Sequence, residues 1–275
     1  MFCMISIELI SKGEQSLIDV LESIKNQSYR DYEIICANSS NNITVKNLLL
    51  SYNCKVIDLP TNSLALFARY IAHKYAKGDK SLLLDSTRPL KNNALEVLSK
   101  KYYNFNMVIL KEDSLGQGFW VNQAKLLKYI SEMQSNRLNK ESLAFLLPRF
   151  YNSELLSEAF NNIIKKTGKL FDEISYGEHH IIFDECKKLS NNKSVTNETL
   201  LSHYEDSSFK KIIKKYYWYG KSQRTLKSLG GTAASKLSTH IRRNVCLKMR
   251  VRTIPISAAR SIPFILGYIF ARNRD

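Results

Sequence analysis

Hydrophobic positions in the first 112 residues fall in short apolar runs that alternate with stretches of helical spacing. Ile5 to Ile10 reads as a strand, and Leu17, Ile18, Leu21 and Ile24 then mark one face of a helix. Tyr32 to Ala37 is a second strand, followed by the polar loop Asn38-Ser39-Ser40-Asn41-Asn42 and a helix near Val45 to Tyr52. Lys55 to Leu59 is a third strand closed by Pro60, and a helix from Ser63 to Ala76 stops at Gly78. Leu82, Leu83 and Leu84 form a run without alternation, the mark of a strand covered on both faces. That run ends on Asp85, and Pro89 blocks its continuation. A helix over Asn92 to Lys101 and a strand at Met107 to Lys111 complete the series. The alternation predicts an α/β fold with a mostly parallel sheet flanked by helices. A carboxylate ending a central strand stands where such sheets open onto a ligand crevice, which makes Asp85 the first candidate.

Past residue 113 the spacing turns helical, near Asn122 to Met133, Ser153 to Lys166 and Gly177 to Leu189, with a short strand at Thr199 to His203. Next comes an amphipathic helix. Phe209, Ile212, Ile213, Tyr216 and Gly220 share one face, and Lys210, Lys211, Lys214 and Lys215 the other. Gly230-Gly231 breaks the chain before a second basic helix at Lys236 to Met249. The apolar segment from Ile254 to Phe270 is short for a membrane span and carries Pro255, Arg260 and Pro263. It suits a segment lying in a membrane interface. These shifts divide the chain into residues 1–112, 113–206 and a basic helical tail, 207–275.

Charge sharpens that division. The net charge is +16, and residues 209–275 hold eight Lys, eight Arg and one acid, leaving the body near neutrality. A basic tail on a neutral body implies an anionic partner surface. The apolar terminal segment favours a membrane leaflet over nucleic acid, for which no module signature is present. The five cysteines include no CxxC pair and read as reduced, structural thiols of a cytosolic protein. The N-terminus lacks the basic and small-residue features of a signal peptide.

Five stretches, in order, resemble family 2 glycosyltransferases of the GT-A fold over roughly residues 4 to 220. ISIELISKGEQSLIDVLESIKNQSYRDYEIICANSS is similar to the opening strand, helix and second strand. ARYIAHKYAKGDKSLLLDS is similar to the helix running into the acidic metal strand, and Leu147-Pro148-Arg149-Phe150-Tyr151 to an acceptor-side segment. SYGEHHIIFDECKKL resembles the helix that holds the catalytic base. SHYEDSSFKKIIKKYYWYGKS resembles the histidine loop and basic-aromatic helix of membrane-associated members.

The resemblance implies an inverting transfer from a nucleotide-sugar donor to a glycan or lipid-linked acceptor, at the inner face of a membrane. It implies a divalent metal, manganese or magnesium, on Asp85 and His203. Ser11, Asn38, Arg69 and Asp85 would line the donor site, Glu178 and His179 would supply the base, and Arg149 would serve the acceptor side. Three positions depart from the family pattern. Thr87 stands for the second metal aspartate, Ala37 (with Asn38 beside it) for the nucleobase acid, and His179 for the catalytic aspartate. An imidazole can act as a general base. These departures also fit a catalytically silent module that binds a saccharide or a partner glycosyltransferase. Taken without the resemblance, Asp85 could cap the next helix, Glu178 could complement a helix dipole and Arg69 could pair with a surface acid. His179, His180 and His203 do not have a zinc-site spacing.

Overall fold

The computed structural model describes residues 4–137, 147–174, 176–228 and 251–270. Its central feature is one seven-stranded sheet, in the order β3-β2-β1-β4-β6-β5-β7. The strands are β1 (Ile5–Ser11), β2 (Tyr32–Asn38), β3 (Lys55–Asp58), β4 (Lys80–Asp85), β5 (Met107–Leu115), β6 (Pro148–Asn152) and β7 (Lys193–Tyr204). Strands β3, β2, β1 and β4 run parallel, and β6 is antiparallel to both β4 and β5. The helices are α1 (Leu17–Lys25), α2 (Ile43–Ser51), α3 (Ala65–Lys74), α4 (Ala94–Lys101), α5 (Phe119–Arg137), α6 (Ser153–Thr167), α7 (Glu178–Leu189), α8 (Phe209–Ser228) and α9 (Ile254–Phe270).

The expected fold is borne out strand for strand through β5, because β1, β2 and β4 are largely apolar and buried between the helix layers, with the half-exposed β3 at the edge. Ile5, Ile7 and Leu9 pack with Leu82 and Leu84 and with Leu17, Leu21 and Ile24 of α1. On the opposite face Ile35 and Ala37 meet Ala68 and Ala72 of α3. Polar side chains share this interior too. Glu8, at the centre of β1, accepts from His73 (2.9 Å), whose other ring nitrogen lies 2.8 Å from the Ser157 hydroxyl.

Three details differ from the sequence expectation. Helix α3 spans Ala65 to Lys74, capped by the Tyr75 N–H, two residues shorter at each end than the expected Ser63 to Ala76. Gly78 serves instead a close approach: a Cβ there would lie 2.6 Å from the Met4 carbonyl oxygen. Residues 148–152 form a strand that periodicity did not reveal, and β7 extends well past Thr199–His203. The second basic helix, Lys236 to Met249, lies outside the described residues.

The chain forms two compact units. One comprises residues 1–113, 148–172 and 182–204, and the other residues 114–147, 173–181 and 205–275. The second is helical, with Ile212, Ile256 and Ala259 buried against Trp120, Leu127 and Tyr216. Helices α8 and α9 cross at two glycines, where a Cβ on Gly220 or Gly267 would lie 1.9 Å from the carbonyl oxygen of Phe264 or Tyr217. The expected apolar face of α8 is split: Ile212 is buried, whereas Phe209 and Ile213 are exposed. Among the described residues no helix is long and apolar enough to cross a membrane.

Candidate active site

Parallel register builds the site at the carboxyl edge of the sheet. Ser11 of β1 pairs with Asn38 of β2, Asn38 with Asp58 of β3, and Ile10 with Asp85 of β4. Asp58, Asn38, Ser11 and Asp85 therefore end four adjacent strands in a row along the edge where doubly wound sheets take their ligands, with Asp85, in register with Ile10, turned to the α3 face and the other three to the opposite face. Asn38 Nδ2 donates to Asp58 Oδ1 (3.0 Å), and its Oδ1 accepts from the Ser40 N–H (3.2 Å) and hydroxyl (2.7 Å). Lys46 Nζ donates to the other oxygen of Asp58 at 2.5 Å. That bond and the one from Asn38 hold the Asp58 carboxyl below the usual range. So although Ala37 is buried and apolar, a carboxylate stands one strand over, at Asp58.

The loop after β1 closes over the loop after β4. Ser11 Oγ accepts from the Gly13 N–H (3.0 Å), with Gly13 at φ +80°, and Glu14 accepts from the Lys12 N–H (2.9 Å) and the Ser86 hydroxyl. Ser16 donates to the Ser86 carbonyl (2.8 Å). Sequence reasoning did not single out Glu14 or Ser86.

Asp85 is the most heavily bonded group of the row. Arg69, a fully buried residue of α3, donates to its Oδ1, and Arg88 to its Oδ2. Arg149 of β6 lies 3.2 Å from Oδ2 and donates to the Leu83 carbonyl at 3.2 Å. Arg88 reaches back because the Arg88 N–H donates to the Asp85 carbonyl (3.0 Å), closing a turn, and its Nε donates to Glu112 (3.1 Å). Burial, with Arg88 facing it, lowers the Arg149 pKa to about 10, while Asp85 and Glu112 work the other way. The guanidinium stays charged at neutral pH. Arg149, expected on the acceptor side, is thus ion-paired with Asp85, which the resemblance assigned to the donor site.

His203 sits beside the same turn. The Ser202 N–H donates to the Pro89 carbonyl and the Tyr204 N–H to the Thr87 carbonyl, both at 2.9 Å. With the antiparallel bridge Leu90↔Leu201, this register opposes His203 to Arg88. Glu178 and His179 belong to the second unit, in the first turn of α7 after Gly177 (φ +84°). Their side chains are mostly buried, with His179 Nε2 3.8 Å from Glu178 Oε1.

These residues do not fit the divalent ion that the resemblance implies. Hard cations take six or more oxygen ligands. Both Asp85 oxygens are ion-paired, Thr87 is neutral, and no three His, Cys, Asp or Glu among the described residues are grouped to hold a metal. A cation on Asp85 would also face three guanidinium groups. Each unit-charge repulsion at about 4–6 Å and an effective dielectric of about 20 costs about 3–4 kcal/mol.

Residues 9–109 match the family model Glycosyl transferase family 2. This stretch is a family 2 glycosyltransferase domain. It holds the whole Asp58–Asn38–Ser11–Asp85 row and two of the three arginines, and it bears out the resemblance read from the sequence. No curated protein matches the chain in sequence. Similar solved structures include S. aureus TarS 1–349 in complex with UDP-GlcNAc, at 16% identity and TM-score 0.57, covering 94% of this chain and 82% of that one. The same fragment with UDP has 14% identity and TM-score 0.55, covering 96% and 89%. Glucosyl-3-phosphoglycerate synthase from Mycobacterium tuberculosis, with Mn2+, UDP and glucosyl-3-phosphoglycerate, has 17% identity and TM-score 0.54, covering 85% and 82%. These likenesses establish the GT-A fold.

Proposed function

We propose that the chain is an inverting glycosyltransferase that moves a sugar from a nucleotide-sugar donor to a lipid-linked saccharide at the cytoplasmic face of a membrane. The observation that carries the transfer reading is the row Asp58–Asn38–Ser11–Asp85 at the open edge of a family 2 domain. Asp58 and Asn38 offer an acceptor and a donor of hydrogen bonds to a nucleobase or ribose, and the Asp85 end carries the cationic groups for a diphosphate. Similar structures hold UDP-GlcNAc and UDP, which makes uridine donors the first to test.

The reaction is a single displacement. The acceptor oxygen forms a bond to the anomeric carbon, the bond to the diphosphate oxygen breaks, and the nucleoside diphosphate leaves with that electron pair. The acceptor proton passes to a general base, the role that the resemblance gives to His179 or Glu178 in the α7 first turn. Their loose 3.8 Å pairing lets a carboxylate stabilise an imidazolium formed beside it.

Membrane attachment is supported by the second unit. Helix α9 exposes Ile254, Ile262, Ile265, Leu266, Ile269 and Phe270, and α8 exposes Lys210, Lys211 and Lys214 together with Trp218. Apolar residues that insert and lysines that meet anionic headgroups at about 1 kcal/mol each are what an interfacial helix pair needs.

A thermal-shift screen of the full chain against UDP, GDP, TDP and CMP tests the donor site. A nucleotide at about 100 times its dissociation constant adds about 2.7 kcal/mol of stability. One nucleotide standing out supports the enzyme. A flat screen on folded protein favours the silent saccharide- or partner-binding module, which the departures at Ala37, Thr87 and His179 also fit.

A further inference from the structure

We infer that the donor diphosphate is held by Arg88 and neutralised by the guanidinium cradle that Arg88 forms with the buried Arg69 and Arg149, and that nucleotide binding needs no divalent metal. This rests on the glycosyltransferase reading above and specifies how its site meets the charge of the leaving group.

The three arginines come from three separate elements, α3, the turn after β4, and β6, and converge on one carboxylate at the open edge of the sheet. In this arrangement Asp85 positions the cradle and is not a metal ligand. With Glu112 on Arg88, the cluster holds three positive and two negative groups, so it retains a positive charge. Arg69 is fully buried and Arg149 nearly so, which fixes their forks before a ligand arrives. The side chains of Arg88 and Asp85 keep 17% and 19% exposure, which makes Arg88 the arm that solvent and a ligand reach. Fixed cations aimed at a diphosphate stabilise the charge that develops as the glycosidic bond breaks. The same cations repel a metal ion, and Thr87 withholds the second carboxylate that would offset this repulsion. His203, opposed to Arg88 across the antiparallel register, sits where it adds a hydrogen-bond donor to the same anion.

The test is calorimetric titration of the full chain with UDP, GDP and TDP, once in EDTA and once with manganese. Arg88→Gln is run alongside, chosen because Arg88 is the least buried of the three. The expected result is one nucleotide whose dissociation constant agrees within about threefold in the two buffers. In EDTA it weakens about tenfold or more in Arg88→Gln, the loss of one charged hydrogen bond, measured below the variant's melting temperature on protein that is folded by circular dichroism. Binding seen only with manganese overturns the cradle while leaving the glycosyltransferase reading intact. Wild-type affinity of Arg88→Gln in EDTA also overturns it. No binding by any nucleotide in either buffer overturns the donor reading and the cradle together.

Discussion

Replacing Gly267 by alanine sets two opposing effects against each other. Alanine in a helix interior is favoured over glycine by about 0.8–1 kcal/mol. The added Cβ, however, would lie 1.9 Å from the Tyr217 carbonyl oxygen and 2.8 Å from its carbon, and backbone cannot rotate away as a side chain can. Reaching ordinary contact at 3.4 Å requires α8 and α9 to part by about 1.5 Å. Overpacking of this kind costs about 1–3 kcal/mol or more, so Gly267→Ala is expected to weaken the helix pair despite the propensity gain. Hydrogen exchange of the α9 amides should quicken by up to about 100-fold if the net loss reaches 2–3 kcal/mol. Ser261→Ala, exposed on the same helix, should leave exchange unchanged or slow it. Gly220→Ala should act like Gly267→Ala, its Cβ meeting the Phe264 carbonyl oxygen at 1.9 Å. The double variant should cost less than the sum, because helices parted for one methyl already admit the other. Slower α9 exchange in Gly267→Ala than in wild type would refute the reasoning.

Several other measurements probe separate parts of the structure. Removing the imidazole of His73 takes a hydrogen bond from buried Glu8, so His73→Ala should lose about 1.5–3 kcal/mol in urea unfolding. Burial pushes the Cys54 and Cys186 thiols up to about 12 and the Cys36 thiol well above its ordinary value. All three should resist iodoacetamide at neutral pH until denaturant is added. Asp58 has a folded pKa below its unfolded value, so the stability it contributes is present above the unfolded pKa and lost as pH falls through the lower, folded one. Asp58→Asn should therefore melt below wild type near neutrality, with the gap closing in acid and shrinking in high salt. Vesicles rich in anionic lipid should sediment the full chain, neutral vesicles much less, and Ile262→Lys with Ile265→Lys should release it.

The legibility of the fold followed its contacts. Strands β1 to β4 are apolar runs separated by helices of matching period, so residues near in sequence carry the whole pattern. Asp85 was visible because a carboxylate and a proline end a leucine run. Strand β6 was not, since Pro148–Asn152 is five residues long and gains its pairing from β4 and β5, far away in the chain. The arginines illustrate the same limit. Arg69 lies 16 residues and Arg149 64 residues from Asp85, and neither spacing marks a shared site. Arg88 had a local signal, its turn spacing to Asp85, yet one arginine in a loop says little until its partners are known. Asp58 entered the row only through parallel register, which sequence periodicity does not specify.

The central claim is sugar transfer from a nucleotide donor at the Asp85 edge of the sheet. Its most direct test is incubation of the full chain with radiolabelled nucleotide-sugars and a membrane lipid extract, followed by counting label in the organic phase. The account predicts that one donor labels a lipid product and that Asp85→Ala, assayed below its melting temperature and folded by circular dichroism, does not. Transfer at the wild-type rate by Asp85→Ala, or no labelled product from any donor, would contradict it.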